Sequence, residues 1–162
     1  MYFKDCKTLQ DLKTEYKRLV LQNHPDVGGD TETMKQINNS YEVCFHLLKD
    51  THFDKDGNIY TAKEATQEVP EEFINLMDIL IRMENIKIEI IGRFVWISGI
   101  SKPYKDTLKG LGFLWHSGKL MWYLPFKGYR KLNNKKYTID EIRYMFGSLE
   151  VENELYAKLP AY

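Results

Sequence analysis

Apolar residues recur at helical spacing near the start of the chain. Leu9, Leu12, Tyr16, Leu19 and Val20 form one stripe, and Met34, Ile37, Tyr41, Cys44 or Phe45, and Leu48 form a second. Thr8 can cap the first helix, with Asp11 three residues on as a weaker capping box. Pro25 forces residue 24 out of the helical region, so the first helix stops near Asn23-His24. Gly28-Gly29 releases the backbone into a turn, and Asp30 or Thr31 can cap the second helix. Two amphipathic helices joined by a short loop should pack antiparallel, apolar faces together.

Residues 51–69 are polar and without sustained period, which predicts a linker with a turn at Asp56-Gly57-Asn58. A calcium loop starting at Asp54 is excluded, because its sixth position is Ile59 and its twelfth is Ala65. Pro70 suits the first position of a helix. Apolar residues on nearly every face over 73–83 place that helix inside the fold or in a dimer. Ile86, Ile88 and Ile90 alternate with polar residues, and Gly92-Arg93 can turn a type II′ hairpin into a strand over 94–97. A short helix over 103–111 ends at Gly112. Strands over 113–115 and 120–124 then flank His116-Ser117-Gly118-Lys119 as a second hairpin. Thr138 and Glu141 form a full capping box for a last helix toward Phe146.

The expected fold class is therefore α+β. An antiparallel helical hairpin (1–50) is followed by the linker (51–69), a small domain of two β-hairpins with flanking helices (70–147), and a tail (148–162). No apolar run approaches the ~20 residues that span a bilayer, and no secretory signal is visible, so a cytoplasmic protein without membrane contact is expected.

With 162 residues, 43% of them hydrophobic, the chain can build a core. Its net charge of zero conceals an uneven distribution. Residues 51–85 carry 3 basic and 8 acidic side chains, a net of −5, whereas residues 86–146 carry 12 and 4, a net of +8. The cationic stretch is a candidate anion-binding surface. Its best candidates are Lys127, Arg130, Lys131, Lys135 and Lys136, interleaved with Tyr129 and Tyr137. The cations suit phosphates and the rings suit stacked bases. Lys102, Lys105 and Lys109 could extend the patch. Trp96, Trp115, Trp122 and Tyr123 read as core rather than platform.

Enzyme classes find no support: there is no Ser/His/Asp, Cys/His or paired-carboxylate arrangement. No cofactor is implied. Cys6 and Cys44 are too few for a cysteine-built metal site and read as small hydrophobes, and His46, His52 and His116 have no partner at ligand spacing, so no metal is expected.

One motif remains. His24-Pro25-Asp26 stands in the interhelical loop, flanked by Leu12-Lys13-Thr14-Glu15-Tyr16-Lys17-Arg18-Leu19 upstream and by the segment 34–43 downstream. With these flanks the first ~48 residues resemble the J domain of the Hsp40 (DnaJ-like) co-chaperones, in the compact form of large T antigens and auxilin-type proteins. Only seven residues precede Thr8, so the family's first helix would be reduced to the neighbourhood of Tyr2-Phe3 or be missing. The resemblance implies an Hsp70 partner whose ATPase is stimulated. His24, Pro25 and Asp26 would be the essential loop, Lys13, Tyr16, Lys17 and Arg18 would belong to the docking helix, and Ile37 and Tyr41 would pack the third helix. Physically, Pro25 stiffens the corner and an exposed Asp26 can accept a bidentate bond from a partner arginine. The basic domain would then serve as client or location adapter. The alternative is a nucleic-acid-binding or host-factor-binding protein of a phage or mobile element, in which the J-like hairpin is only a scaffold.

Overall fold

The computed structural model describes residues 2–54, 56–131 and 134–146; the expected tail over 148–162 lies outside them. Helix α1 (Leu9–Asn23) opens with the capping box. The Asp11 amide donates to Thr8 Oγ1 at 3.2 Å, and the Thr8 amide donates to Asp11 Oδ2 at 3.0 Å. Before it, Tyr2 to Asp5 make a turn that places the Phe3 ring against Tyr41. A single 3₁₀ turn (Pro25–Val27) links α1 to α2 (Thr31–Leu48), which is capped by Asp30 through the Thr33 amide.

The stretch 51–69 is not a plain linker. Strands β1 (Thr51–Phe53) and β2 (Ile59–Thr61) form an antiparallel hairpin over its first part. Asp54 holds the turn by accepting from the amides of Asp56 and Asn58, at 2.9 and 2.8 Å. Strands of three residues are too short to display the alternation that reveals a strand in a sequence.

Helix α3 (Pro70–Leu80) begins at its proline and leads into β3 (Ile86–Ile91) and β4 (Phe94–Gly99). The two-residue turn between them has Gly92 at φ 59°, and Arg93 is not in the left-handed region, as a type II′ turn requires. A 3₁₀ turn (Lys102–Tyr104) runs into α4 (Lys105–Gly110), followed by the hairpin β5 (Leu114–His116) and β6 (Met121–Leu124). The sheet order is β3-β4-β6-β5, all neighbours antiparallel. Helix α5 (Ile139–Phe146) starts at the Thr138–Glu141 capping box. The fold is α+β.

Alternation along the sheet sets its two sides. Ile88, Ile90, Val95, Ile97 and Trp122 face the helices, whereas Ile91, Trp96 and Met121 face α5. On that second side Glu89, almost fully buried, accepts two bonds from the Arg143 guanidinium at 2.8 and 2.9 Å, which anchors α5. Trp96 and Trp122 are core, as expected, but Trp115 is half exposed because β5 is an edge strand.

The helical hairpin and the sheet do not form separate cores. One apolar cluster runs from Phe3, Leu12, Tyr16, Ile37, Tyr41 and Phe45 through Phe73 and Met77 of α3 to Ile88 and Ile97 of the sheet. At its centre Tyr16, Tyr41 and Phe73 meet with ring centroids 4.4 to 5.9 Å apart. The apolar helix of residues 73–83 is thus buried in the fold itself. Truncating Phe73 to Ala removes the ring that joins the two halves, and the expected cost is about 3–5 kcal/mol in urea unfolding.

Burial pushes the His52 imidazole down to about 4, with Arg93 adding repulsion. The unfolded chain therefore binds the extra proton between pH 6.5 and about 4, and stability falls as pH drops through that window. The expected loss is roughly 2–3 kcal/mol. His52→Phe should lack this increment when unfolding is compared at pH 6.5 and 4.

Candidate functional site

The corner at His24-Pro25-Asp26 is built by backbone geometry. Residue 24 is extended, at φ −66° and ψ 139°, as the proline after it demands. Its carbonyl oxygen then accepts from the amides of both Val27 and Gly29 at 3.0 Å, which closes the loop into one tight turn. Gly28 takes φ 89°, in the left-handed region. Gly29 fails to accommodate a side chain for a different reason: a Cβ there would lie 1.9 Å from the Asn23 carbonyl oxygen. The end of α1 and the loop just before α2 are therefore in direct backbone contact behind the corner. Gly29→Ala must pry them apart, with an expected loss of about 1–3 kcal/mol in thermal or urea unfolding.

His24 is buried at 7% exposure, whereas Pro25 and Asp26 are exposed. The His24 Nδ1 accepts the Asp26 amide at 3.2 Å, so in the neutral ring the proton sits on Nε2. Nε2 then donates to Asp78 Oδ1 of α3 at 2.6 Å. The Asp26 carboxylate pairs with Arg82 Nε at 3.0 Å, and Arg82 Nη2 also reaches Asp78 Oδ2 at 3.5 Å. His24, Asp26, Asp78 and Arg82 thus form one charged cluster spanning the loop and the end of α3. Beneath it lies a cleft of about 190 Å³ lined by Tyr16, Val20, His24, Pro25, Met34 and Ile74, among others.

The expected docking helix is distributed differently from its sequence reading. Lys13 is buried; its ammonium pairs with Glu68 at 2.5 Å and lies 5.1 Å from the Phe73 ring centroid. Lys17, at 1% exposure, donates to the Ile88 carbonyl of β3 at 2.5 Å. Desolvation pushes its ammonium down to about 8. Tyr16 is core, its hydroxyl donating to Asn38 at 2.9 Å, and burial pushes its ionisation upward. Ile37 and Tyr41 pack the second helix. Only Arg18 of the docking set is partly exposed, and it is held in a fork by Glu15 at 2.5 and 2.8 Å and by Gln22 at 2.8 Å. Lys13 and Lys17 do lie off the apolar stripe, but β3 and the 62–69 segment cover that second face, so neither ammonium faces a partner.

Asp78 and Arg82 were not among the sequence candidates. Their spacing of one turn was legible, but nothing local pointed to a loop some 54 residues upstream.

The cationic stretch is exposed yet not gathered around a stacking platform. Lys127 pairs with Glu72 of α3. Arg130, Lys131, Lys135 and Lys136 are exposed, and so are Lys102, Lys105 and Lys109. The Tyr129 ring is engaged edge-on with Phe94 and Phe126, centroids 4.9 and 5.4 Å apart. Among the described residues, no group of three His, Cys, Asp or Glu could hold a metal, and no helix is long and apolar enough to cross a membrane.

The loop of this helical hairpin thus carries His24 buried and Pro25 and Asp26 exposed. Known proteins share its sequence. The N-terminal ~50 residues are similar to DnaJ protein homolog 2 of Allium porrum, 42% identical over 50 residues, covering 31% of this chain and 12% of the relative. They are likewise similar to chaperone protein dnaJ 2 of Arabidopsis thaliana, 42% identical over 48 residues, covering 30% and 12%. DnaJ homolog subfamily C member 5B of Homo sapiens is 32% identical over 65 residues, covering 36% of this chain and 33% of the relative. The chain thus spans about an eighth of the length of the plant relatives. No family model and no solved structure matches. The N-terminal segment of this chain is of the J-domain, DnaJ-like family.

Proposed function

We propose that the protein is an Hsp70 co-chaperone. Its loop docks on an Hsp70 and stimulates ATP hydrolysis there, and the C-terminal sheet module acts as adapter for a client or a location. The supporting observation is the corner itself: on a DnaJ-like segment, Pro25 and Asp26 stand exposed on a turn braced by the His24 carbonyl and by Gly29. A rigid exposed carboxylate can discriminate between two conformations of a partner, and differential binding of this kind is what shifts the partner's equilibrium. The protein supplies no reacting group of its own in this reading. It acts in the cytoplasm, where Cys6 and Cys44 stay reduced.

The burial of Lys13 and Lys17 moves the docking surface away from the inner face of α1 and toward the corner, with Arg18 as its basic flank. The exposed cations Arg130, Lys131, Lys135 and Lys136 are the part of the adapter that would meet an acidic client or nucleic acid.

The test is steady-state ATPase turnover of a DnaK-type Hsp70 with the full chain added. Wild type should accelerate turnover, and Asp26→Asn should lose at least about tenfold of that stimulation, within the usual range of coupling between sites. Stimulation unchanged by both Asp26→Asn and His24→Gln would rule the mechanism out.

A further inference from the structure

Trp115 is 45% exposed, whereas Trp96 and Trp122 are each 5% exposed. It stands opposite Trp122 in the β5–β6 ladder, with ring centroids 5.3 Å apart. Trp122 is held in turn by packing and by its Nε1, which donates to Ser101 Oγ at 3.1 Å. An open indole thus leans on a fixed one at the edge of the sheet.

Cations flank this edge from both sides. Lys102 follows Ser101, on the side that Trp122 faces. His116, the residue after Trp115, points to the opposite side, and Lys119 Nζ lies 3.2 Å from its Nε2. Partial burial, then the charge of Lys119 and more weakly that of Lys131, push the His116 pKa below its ordinary value. Residues 101–131 carry seven basic side chains and one acidic one. Among the described residues, only Lys127 of those seven is paired with a carboxylate.

We propose that the β5 edge binds single-stranded nucleic acid, with one unpaired base stacked on Trp115 and the neighbouring phosphates held by Lys102, Lys119 and Lys131. The inference names a ligand for the adapter of the co-chaperone reading and stands without the Hsp70 step. The unpaired cations call for a polyanion. They line a path past the ring rather than gathering on it, which suits an extended strand. The open indole selects unstacked bases, because a duplex keeps its base faces covered. A flat bilayer fits poorly: Leu114 is also half exposed, but it and Trp115 are successive strand residues on opposite faces of the sheet.

The test is fluorescence anisotropy of the full chain with a labelled oligothymidylate of about 15 nucleotides, near the usual footprint of such sites. Trp115→Ala should weaken binding about 5- to 100-fold, the range for losing one base stack, with the salt dependence unchanged. Trp115→Phe should keep most of the affinity. Replacing Lys102, Lys119 and Lys131 together by Gln should lower the slope of log affinity against log salt by about two. Unchanged affinity in Trp115→Ala would overturn the proposal. So would equal binding of the duplex with oligodeoxyadenylate. Equal competition by polyglutamate, or by vesicles of phosphatidylserine and phosphatidylcholine in equal parts, would overturn it in favour of an acidic protein or a membrane. If Trp115→Ala weakens binding of the oligonucleotide while wild type leaves Hsp70 turnover unchanged, this inference is upheld and the co-chaperone reading falls.

Discussion

Helix α1 is packed on two faces, and the other features follow from that constraint. Its apolar stripe meets α2 and α3 through Leu12, Tyr16 and Val20, while the adjoining face carries Lys13 and Lys17 into the segment before α3 and against β3. Burying ammonium groups is costly unless each finds a partner. Lys17 finds a backbone carbonyl and Lys13 a carboxylate, so their long stems fill the contact while their tips remain satisfied. Sheet and helical hairpin are thereby held in one core.

That core explains why the corner is rigid and also why it has company. Placing α3 against Tyr16 and Tyr41 through Phe73 carries the end of α3 alongside the interhelical loop. Asp78, one residue beyond the buried Met77, and Arg82, one turn later, then face His24 and Asp26. The same packing that braces the loop from behind supplies its charged neighbours in front.

Much of this was legible in the chain. The caps at Thr8, Asp30 and Thr138, the stop at Pro25 and the Gly92-Arg93 turn are short-range instructions, and each is carried out in the structure. The DnaJ-like segment was legible for the same reason, since its motif and flanks lie within about 30 residues. What sequence reading missed is long-range. The β1–β2 hairpin has strands too short for periodicity, and Lys17 looks solvated until the distant β3 covers it, as Lys13 does until the segment around Glu68 covers it. A cationic side chain off the apolar stripe is usually a surface residue, and here the second covering layer breaks that rule.

The double packing of α1 has a consequence for how this module can be cut and transplanted. An excised fragment ending at Asp50 would strip Glu68 from Lys13 and the Ile88 carbonyl from Lys17, leaving a cationic, partly apolar flank open to water. Such a piece would present a basic helix that the intact molecule keeps hidden. Behaviour measured on the isolated hairpin would therefore describe a surface that the whole chain does not offer.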